Sequence, residues 1–427
     1  MKLYPHQIEA LQKAEGLDHV AFYHDMGLGK TFVGAEKMVQ LGAKVNLIVC
    51  QKSKIDDWKD HFFCNYLSKI QYLYDLTNPT GFSQFMEKCT LDYFKEAVKV
   101  GVINYDLIWR RKELLNLNDF TLMLDESSLI QNEMAKRTKF ILKMKPKNVI
   151  LLSGTPTGGK YEKLWSQMHL LGWPISRQLY MRQFVNVEYL DTVGRSIPIV
   201  TGYKNIDRLK RKMSDYGCQF LKTDEVFDLP SQTFTKVRIP ASKEYRIFRK
   251  DKVVQIGETE LVGDTTLTRM LYERMLCGQY SEAKLKAFTD LVESTEDRLI
   301  VFYNFTEEMA AMRKIVNEMR REYSLVNGSR KDLTCYEEFS DSITFIQYQA
   351  GAMGLNLQKA NKIIYFTLPL SSELYEQSKK RIHRIGQNQP CFYYQLIVTG
   401  SIEEKILRTL DMRQDYTEKL FEKDDVN

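Results

Sequence analysis

Cysteine is scarce and scattered in this chain: seven residues in 427, none paired in a CxxC spacing. That argues against a disulfide framework and against a cysteine-based zinc site, and it fits a reducing compartment. Cys50 and Cys391, in or beside apolar runs, are expected to be small buried apolar residues. Long apolar runs are missing too. The longest is under about 10 residues, too short to span a bilayer. The opening MKLYPHQIEA does not have the shape of a signal peptide. There is no low-complexity tail and no repeat array. No membrane and no zinc are therefore expected. A strong excess of one charge is also absent. Net charge is +6 with a pI near 8.7, a mildly basic balance that does not by itself prove nucleic-acid binding.

The chain does have enough apolar content, 44%, and enough length for two well-filled cores of roughly 200 residues each. Basic residues gather at Trp109-Arg110-Arg111-Lys112, at Arg208-Leu209-Lys210-Arg211-Lys212 and at Lys379-Lys380-Arg381. Each cluster alone reads as a solvated helix face. Taken with the motif order, contact with a phosphate backbone is the better reading.

The densest information lies at the two ends. Val20–Tyr23 reads as a strand, Asp25-Met26-Gly27-Leu28-Gly29-Lys30-Thr31 as a glycine loop, and Phe32–Leu41 as a helix. This is the context of a phosphate-binding loop. Glycines let backbone N–H groups close around phosphate oxygens. Lys30 would neutralise the β/γ-phosphates and the Thr31 hydroxyl would ligate Mg²⁺. His24 stands where the strict pattern has its first glycine.

Phe120–Leu124 reads as another strand whose tip carries Asp125 and Glu126. Asp125 would hold the metal through its water shell, and Glu126 would polarise the attacking water as general base. The strand Val149–Leu152 runs into Ser153-Gly154-Thr155-Pro156-Thr157, a small hydroxyl-rich loop suited to hydrogen-bonding the acidic pair. Further strand-loop-helix units at Val45–Cys50 and Val100–Tyr105 predict an α/β fold with a parallel sheet covered by helices on both faces. Late in the chain, QSKKRIHRIGQNQ places Arg381 and Arg384 three residues apart. On a helix that spacing puts both on one face, with Gly386 ending the helix. Arginines so placed suit the charge on a transferring γ-phosphoryl group. An ordinary basic helix end would read the same. Together, the two ends suggest an ATP site assembled from two halves of one chain.

In this order the pieces resemble helicase superfamily two, and within it the Swi/Snf-type DNA-dependent ATPases, over nearly the whole chain. Leu3-Tyr4-Pro5-His6-Gln7 looks like the opening adenine-recognition motif, with Gln7 reading the base. DMGLGKT matches motif I, LDES (124–127) motif II and SGTP (153–156) motif III. Leu47–Ser53 continuing to Trp58 looks like motif Ia, and Val102–Tyr105 like the next DNA-contacting motif. RLIVFYNF (298–305) resembles motif IV, and Gln349–Leu357 motif V. RIHRIGQ matches motif VI almost letter for letter.

The resemblance implies two RecA-like parallel-sheet lobes in tandem with helical insertions. The expected ATP-binding lobe is 1–229, with a largely helical protrusion at about 160–222. The second lobe is 230–427, ending in a helix from Ser401 to Glu422 that packs back across the lobes. Ala241–Tyr280 should be helical with an interruption at Gly257–Asp264. Gly354 and Asn356 join the nucleotide-binding set. The resemblance assigns DNA contacts to Lys52, Ser53, Trp58, Asn104, Thr155, Asn304 and Gln349. ATP and Mg²⁺ are the expected cofactors, double-stranded DNA the expected partner, and a targeting protein a further candidate partner.

Three departures stand out. Ser128 replaces the motif II histidine that couples to motif III. Gln347, Tyr348 and Gln349 replace the usual serine-threonine-arginine run of motif V. Thr157-Gly158-Gly159 follows SGTP in place of the usual Leu-Gln-Asn. The implied activity is ATP-driven translocation on duplex DNA or remodelling of protein–DNA complexes. A strand-separating helicase and a non-catalytic DNA-binding module with the same fold are the alternatives. A stand-alone motor without added reader or nuclease domains is expected, in a bacterial or phage-infected cytoplasm.

Overall fold

The computed structural model describes residues 2–192, 195–351 and 355–421. The chain divides into two compact units built on Met1–Val226 and Phe227–Gln414. The first contains a sheet ordered β3-β4-β2-β5-β6-β1-β9. Its strands are β1 (His19–His24), β2 (Val45–Cys50), β3 (Tyr72–Asp75), β4 (Lys99–Asn104), β5 (Phe120–Asp125), β6 (Asn148–Leu152) and, after a hairpin described below, β9 (Cys218–Leu221). Each neighbouring pair is parallel. The central strands are buried on both faces, so they are near-continuous apolar runs rather than alternating ones. Helices α1 (Pro5–Lys13), α2 (Lys30–Leu41) and α3 (Ile55–Tyr66) include residues of one apolar cluster, with Phe22, Ile48, Met123 and Ile150. Phe85, Tyr105, Ile130, Tyr161, Tyr180 and Phe184 belong to the other.

The segment 161–216 departs from the helical expectation. Short helices at Trp165–Leu170, Arg177–Phe184 and Ile206–Asp215 flank an antiparallel hairpin, β7 (Val185–Thr192) with β8 (Arg195–Tyr203). Val185, Val187 and Tyr189 on one strand and Ile197, Ile199 and Val200 on the other favour a pleated ribbon. The basic residues of the region lie mainly in the flanking helices, and within the ribbon Arg195 is the one basic residue.

The second unit repeats the architecture with a sheet ordered β10-β18-β17-β13-β16-β14-β15. Its strands are β10 (Gln232–Ile239), β13 (Leu299–Tyr303), β14 (Tyr323–Val326), β15 (Lys331–Asp332), β16 (Ile343–Gln347), β17 (Lys362–Tyr365) and β18 (Cys391–Val398). All pairings are parallel except β14 with β15. The interruption expected at Gly257–Asp264 is a second small hairpin, β11 (Val253–Ile256) with β12 (Thr259–Val262), between helices Lys243–Asp251 and Thr266–Cys277. The chain's final helix is Ile402–Phe421. Among the described residues no helix is long and apolar enough to cross a membrane.

Candidate ATP site and nucleic-acid contacts

β1 ends at His24, and the chain turns through Asp25–Gly29 into α2, so Lys30 and Thr31 are the first two helical residues. Gly27 (φ 93°) and Gly29 (φ 72°) take left-handed conformations that glycine adopts without strain. The Lys30 ammonium donates to the carbonyls of His24 (2.9 Å) and Asp25 (3.2 Å), across the mouth of the loop. The departure at His24 has a structural account. Its ring is buried (1% exposed) against Phe22, and burial, reinforced by the Lys30 charge, pushes its pKa down to about 3. A neutral, apolar-packed imidazole therefore stands where a first glycine would leave space. Leu28 is buried and Met26 half-buried. Asp25 accepts from the Thr223 amide and hydroxyl, both at 3.1 Å, and so ties the loop to the chain beyond β9.

Gln7 is buried under this loop. It donates to the Leu28 carbonyl (3.2 Å), and its Oε1 accepts from the Tyr4 amide (3.0 Å). The His6 ring also contacts the Leu28 carbonyl, at 3.1 Å. A Cβ on Gly29 would collide with the Gln7 amide nitrogen. Opening-motif residues thus lie against the backbone that would bind phosphate.

Asp125 closes β5, two strands away from β1 in the sheet. Its Oδ2 accepts from Trp58 Nε1 at 2.8 Å, and its backbone carbonyl accepts from the Tyr105 hydroxyl at 2.9 Å. Burial raises the carboxyl's pKa, opposed first by the Trp58 hydrogen bond and then by the Lys30 charge. Glu126 follows in a left-handed conformation, φ 54°, which for a non-glycine residue stores on the order of 1–3 kcal/mol. Its Oε2 lies 3.5 Å from the Ser153 hydroxyl. The SGTP loop also touches the phosphate loop directly. A Cβ on Gly154 would sit 3.2 Å from Met26 Cγ and 3.3 Å from Lys30 Nζ. One unit therefore brings together a phosphate cradle, a cation, two carboxylates and a hydroxyl loop. Thr31 and Asp125 are hard oxygen donors of the kind Mg²⁺ takes, and Lys30 is close enough to Asp125 to act on its charge. The residues present fit both ATP and the ion.

A residue that sequence reasoning missed links motif II to motif III. Gln167, fully buried, accepts from Ser127 Oγ (2.7 Å) and Tyr23 Oη (3.0 Å) and donates to the Pro156 carbonyl (2.8 Å). It bridges β1, motif II and motif III. Nothing in its local pattern marks it, because two of its three partners, Ser127 and Tyr23, lie 40 and 144 residues away.

Several residues expected at DNA are placed differently. Trp58 is 1% exposed and spends its N–H on Asp125. The tryptophan lies on the inward face of α3, while the preceding turn faces outward. Lys52 and Ser53 in that turn are exposed. Asn104, at the tip of β4, and Thr155, in the SGTP loop, are buried. Asn304 is half-buried and its amide nitrogen donates to Thr367 Oγ1 (2.8 Å), Leu368 O (3.1 Å) and Thr367 O (3.4 Å), which makes it a lobe-internal clamp. Gln349 is exposed.

In the second unit the helix Ser372–Lys379 stops before motif VI, and RIHRIG forms successive turns. Arg381 and Arg384 therefore do not share a helix face, because the 3.6-residue period ends first. Arg381 is buried (2% exposed), and its carbonyl accepts from the Leu357 amide at 3.1 Å. Arg384 is half-buried and donates to the Leu355 carbonyl at 3.4 Å. These bonds bring motif VI beside exposed Asn356. Gly354 lies outside the described residues.

The SNF2-related domain model matches residues 8–283, more than half of the chain, and the helicase conserved C-terminal domain model matches residues 283–386. An uncharacterised ATP-dependent helicase of Mycoplasma genitalium is 21% identical over 94% of this chain and 40% of its own length. The mouse SWI/SNF-related matrix-associated actin-dependent regulator of chromatin subfamily A member 1 is 20% identical over 91% of this chain and 40% of its own length. A probable ATP-dependent DNA helicase of Arabidopsis thaliana is 24% identical over 95% and 42%. The chain thus spans about two fifths of the length of these relatives. Among solved structures, the Sulfolobus solfataricus SWI2/SNF2 ATPase core in complex with dsDNA aligns over 98% of this chain and 92% of that one, at 19% identity and a TM-score of 0.45. On the strength of the matched models, the chain belongs to the SNF2-related, Swi/Snf-type branch of helicase superfamily two.

Proposed function

We propose that this protein is a DNA-dependent ATPase, a motor that uses ATP to move along double-stranded DNA or to remodel protein–DNA complexes. The observation that carries the reading is the convergence of Lys30, Asp125, Glu126 and the Ser153–Thr157 loop on adjacent strand tips of one unit. Lys30 would hold the β/γ-phosphates, and the backbone of Gly27–Gly29 would cradle them. Glu126 would take the proton from the attacking water. Mg²⁺, held by Thr31 and Asp125, would neutralise charge developing on the phosphate oxygens. Arg384 would add its planar cation to the γ-phosphoryl group during turnover.

The test is ATPase rate with no DNA, with single strands and with duplex, across a salt series. Duplex should stimulate most. The stimulation should fall steeply with salt, because the contacts are to phosphates. Lys30→Ala should lower turnover on the order of 100-fold or more. Stimulation by RNA alone, or by no nucleic acid, would sink the duplex-motor reading.

A further inference from the structure

Trp58 was expected outside, at DNA, and lies inside, on the candidate metal ligand. Its indole N–H donates to Asp125 Oδ2 at 2.8 Å. The ring is held from several sides. It stacks on Phe62 (5.8 Å, 25°) and meets His61 edge-on (6.0 Å, 83°). His61 in turn packs edge-on against Phe32, the residue after Thr31 (4.8 Å, 87°). One turn further along α3, the Tyr66 hydroxyl donates to Glu36 Oε2 on α2 at 3.0 Å. α3 is therefore tied to the helix that carries Lys30 and Thr31 and, through Trp58, to the strand tip that carries Asp125. A second constraint comes from the opposite side, where Tyr105 Oη holds the Asp125 carbonyl. The residue's backbone carbonyl and one of its carboxylate oxygens are thus both held by buried aromatic donors.

From this geometry we infer that Trp58 is a positioning residue. It orients the Asp125 carboxylate so that Mg²⁺ binds the nucleotide-loaded site in one geometry. The inference rests on the ATP reading above and deepens it. Outer partners of metal-binding side chains typically change metal affinity 10–100-fold when removed, and hydrogen bonds to charged groups are among the stronger ones. An indole suits the task because it donates once, accepts nothing and brings a large ring that packing can immobilise.

The test is equilibrium binding of a non-hydrolysable ATP analogue as a function of Mg²⁺. Trp58→Phe keeps an aromatic ring and removes the donor. It should raise the Mg²⁺ concentration for half-maximal binding about tenfold, with binding recovered at saturating Mg²⁺. Trp58→His, which can still donate, should recover part of that loss. Phe62→Leu loosens the same packing but keeps the N–H, and should shift the Mg²⁺ midpoint much less than Trp58→Phe does.

The spectroscopic arm uses the wild-type chain. In a ¹⁵N–¹H spectrum its four tryptophans give four indole signals. Mn²⁺ with the analogue should bleach one of them ahead of the others, and that signal should be the one missing from Trp58→Phe. Trp58→Phe with a wild-type Mg²⁺ midpoint would overturn the inference, as would Phe62→Leu shifting the midpoint equally. If Trp58→Phe does not fold, the wild-type spectrum decides: uniform loss, or no loss, of the indole signals overturns it. A chain that binds no nucleotide at any Mg²⁺ concentration overturns the ATP reading itself. Binding with an unshifted midpoint overturns only the role of Trp58.

Discussion

The motifs of the first unit and those of the second were read from sequence in the same way, and the structure treats them differently. In the first unit the motif residues stand on strand tips and in the loop they feed. Lys30, Asp125 and Ser153 stand at or just beyond the ends of β1, β5 and β6; Ser153 Oγ lies 3.5 Å from Glu126 Oε2, and the Lys30 charge acts on Asp125. In the second unit much of the motif chemistry is spent on the lobe itself. Asn304 clamps Thr367 and Leu368, Arg381 is buried, and Arg384 already donates to Leu355. A strand tip can carry chemistry because the sheet beneath it supplies rigidity. The turn beyond the helix Ser372–Lys379 must supply its own and takes up Arg384 to do so, while Asn304, just beyond β13, ties that strand tip to Thr367 and Leu368.

Glu126 gives the most decisive test of the difference between the two units. Glu126→Gln keeps shape and removes the base. It should bind ATP normally while turnover falls by several hundredfold, within the usual range for general-base loss. Equal loss of binding and turnover would make Glu126 structural, like its counterparts in the second unit.

The second unit's reliance on buried polar groups can be read from its pH dependence. Glu308 is fully buried. One of its oxygens accepts from the Asn304 amide (3.0 Å), the Phe305 amide (3.2 Å) and Thr367 Oγ1 (2.9 Å), and burial pushes its pKa up to about 7. A raised carboxyl pKa means the folded state holds a proton that the unfolded state has lost. Stability should therefore fall as pH rises from about 4.5 to about 7, by about 3 kcal/mol for this group. Urea unfolding at pH 5 and pH 8 measures it. Glu308→Gln should flatten that part of the profile, and an unchanged slope would remove Glu308 as its source.

Arg384→Lys keeps the charge and loses the planar fork. Duplex-stimulated turnover should drop roughly tenfold with ATP affinity retained. Stimulated turnover within about twofold of wild type would show that Arg384, like Arg381, is occupied with the lobe. The smallest effect is expected at Asn304. Asn304→Ala removes a clamp and should cost about 1 kcal/mol of stability, with duplex affinity changed less than twofold. A large loss of duplex affinity at unchanged stability would restore Asn304 as a DNA contact.

What was legible in the sequence follows from local rules. Buried parallel strands are short apolar runs, and glycine-rich strand-to-helix turns have a recognisable pattern. For these reasons the α/β class, the order of the elements and the identity of the phosphate loop could be read directly. Motif boundaries held within one or two residues at β1 and α2. The hairpin at 185–203 was missed because the basic, helix-forming stretches on either side of it were extended across its β-branched and aromatic run. Gln167, Trp58 and Arg381 were beyond local reading. The roles of the first two depend on hydrogen bonds to residues 40 to 144 positions away. The inward burial of Arg381 depends on where a helix stops. Sequence alone determined which chemistry this chain can bring to a site. Tertiary structure decided which of those side chains remain available for it, because donors taken out of water, such as those of Trp58, Gln167 and Asn304, are spent on partners inside their own lobe.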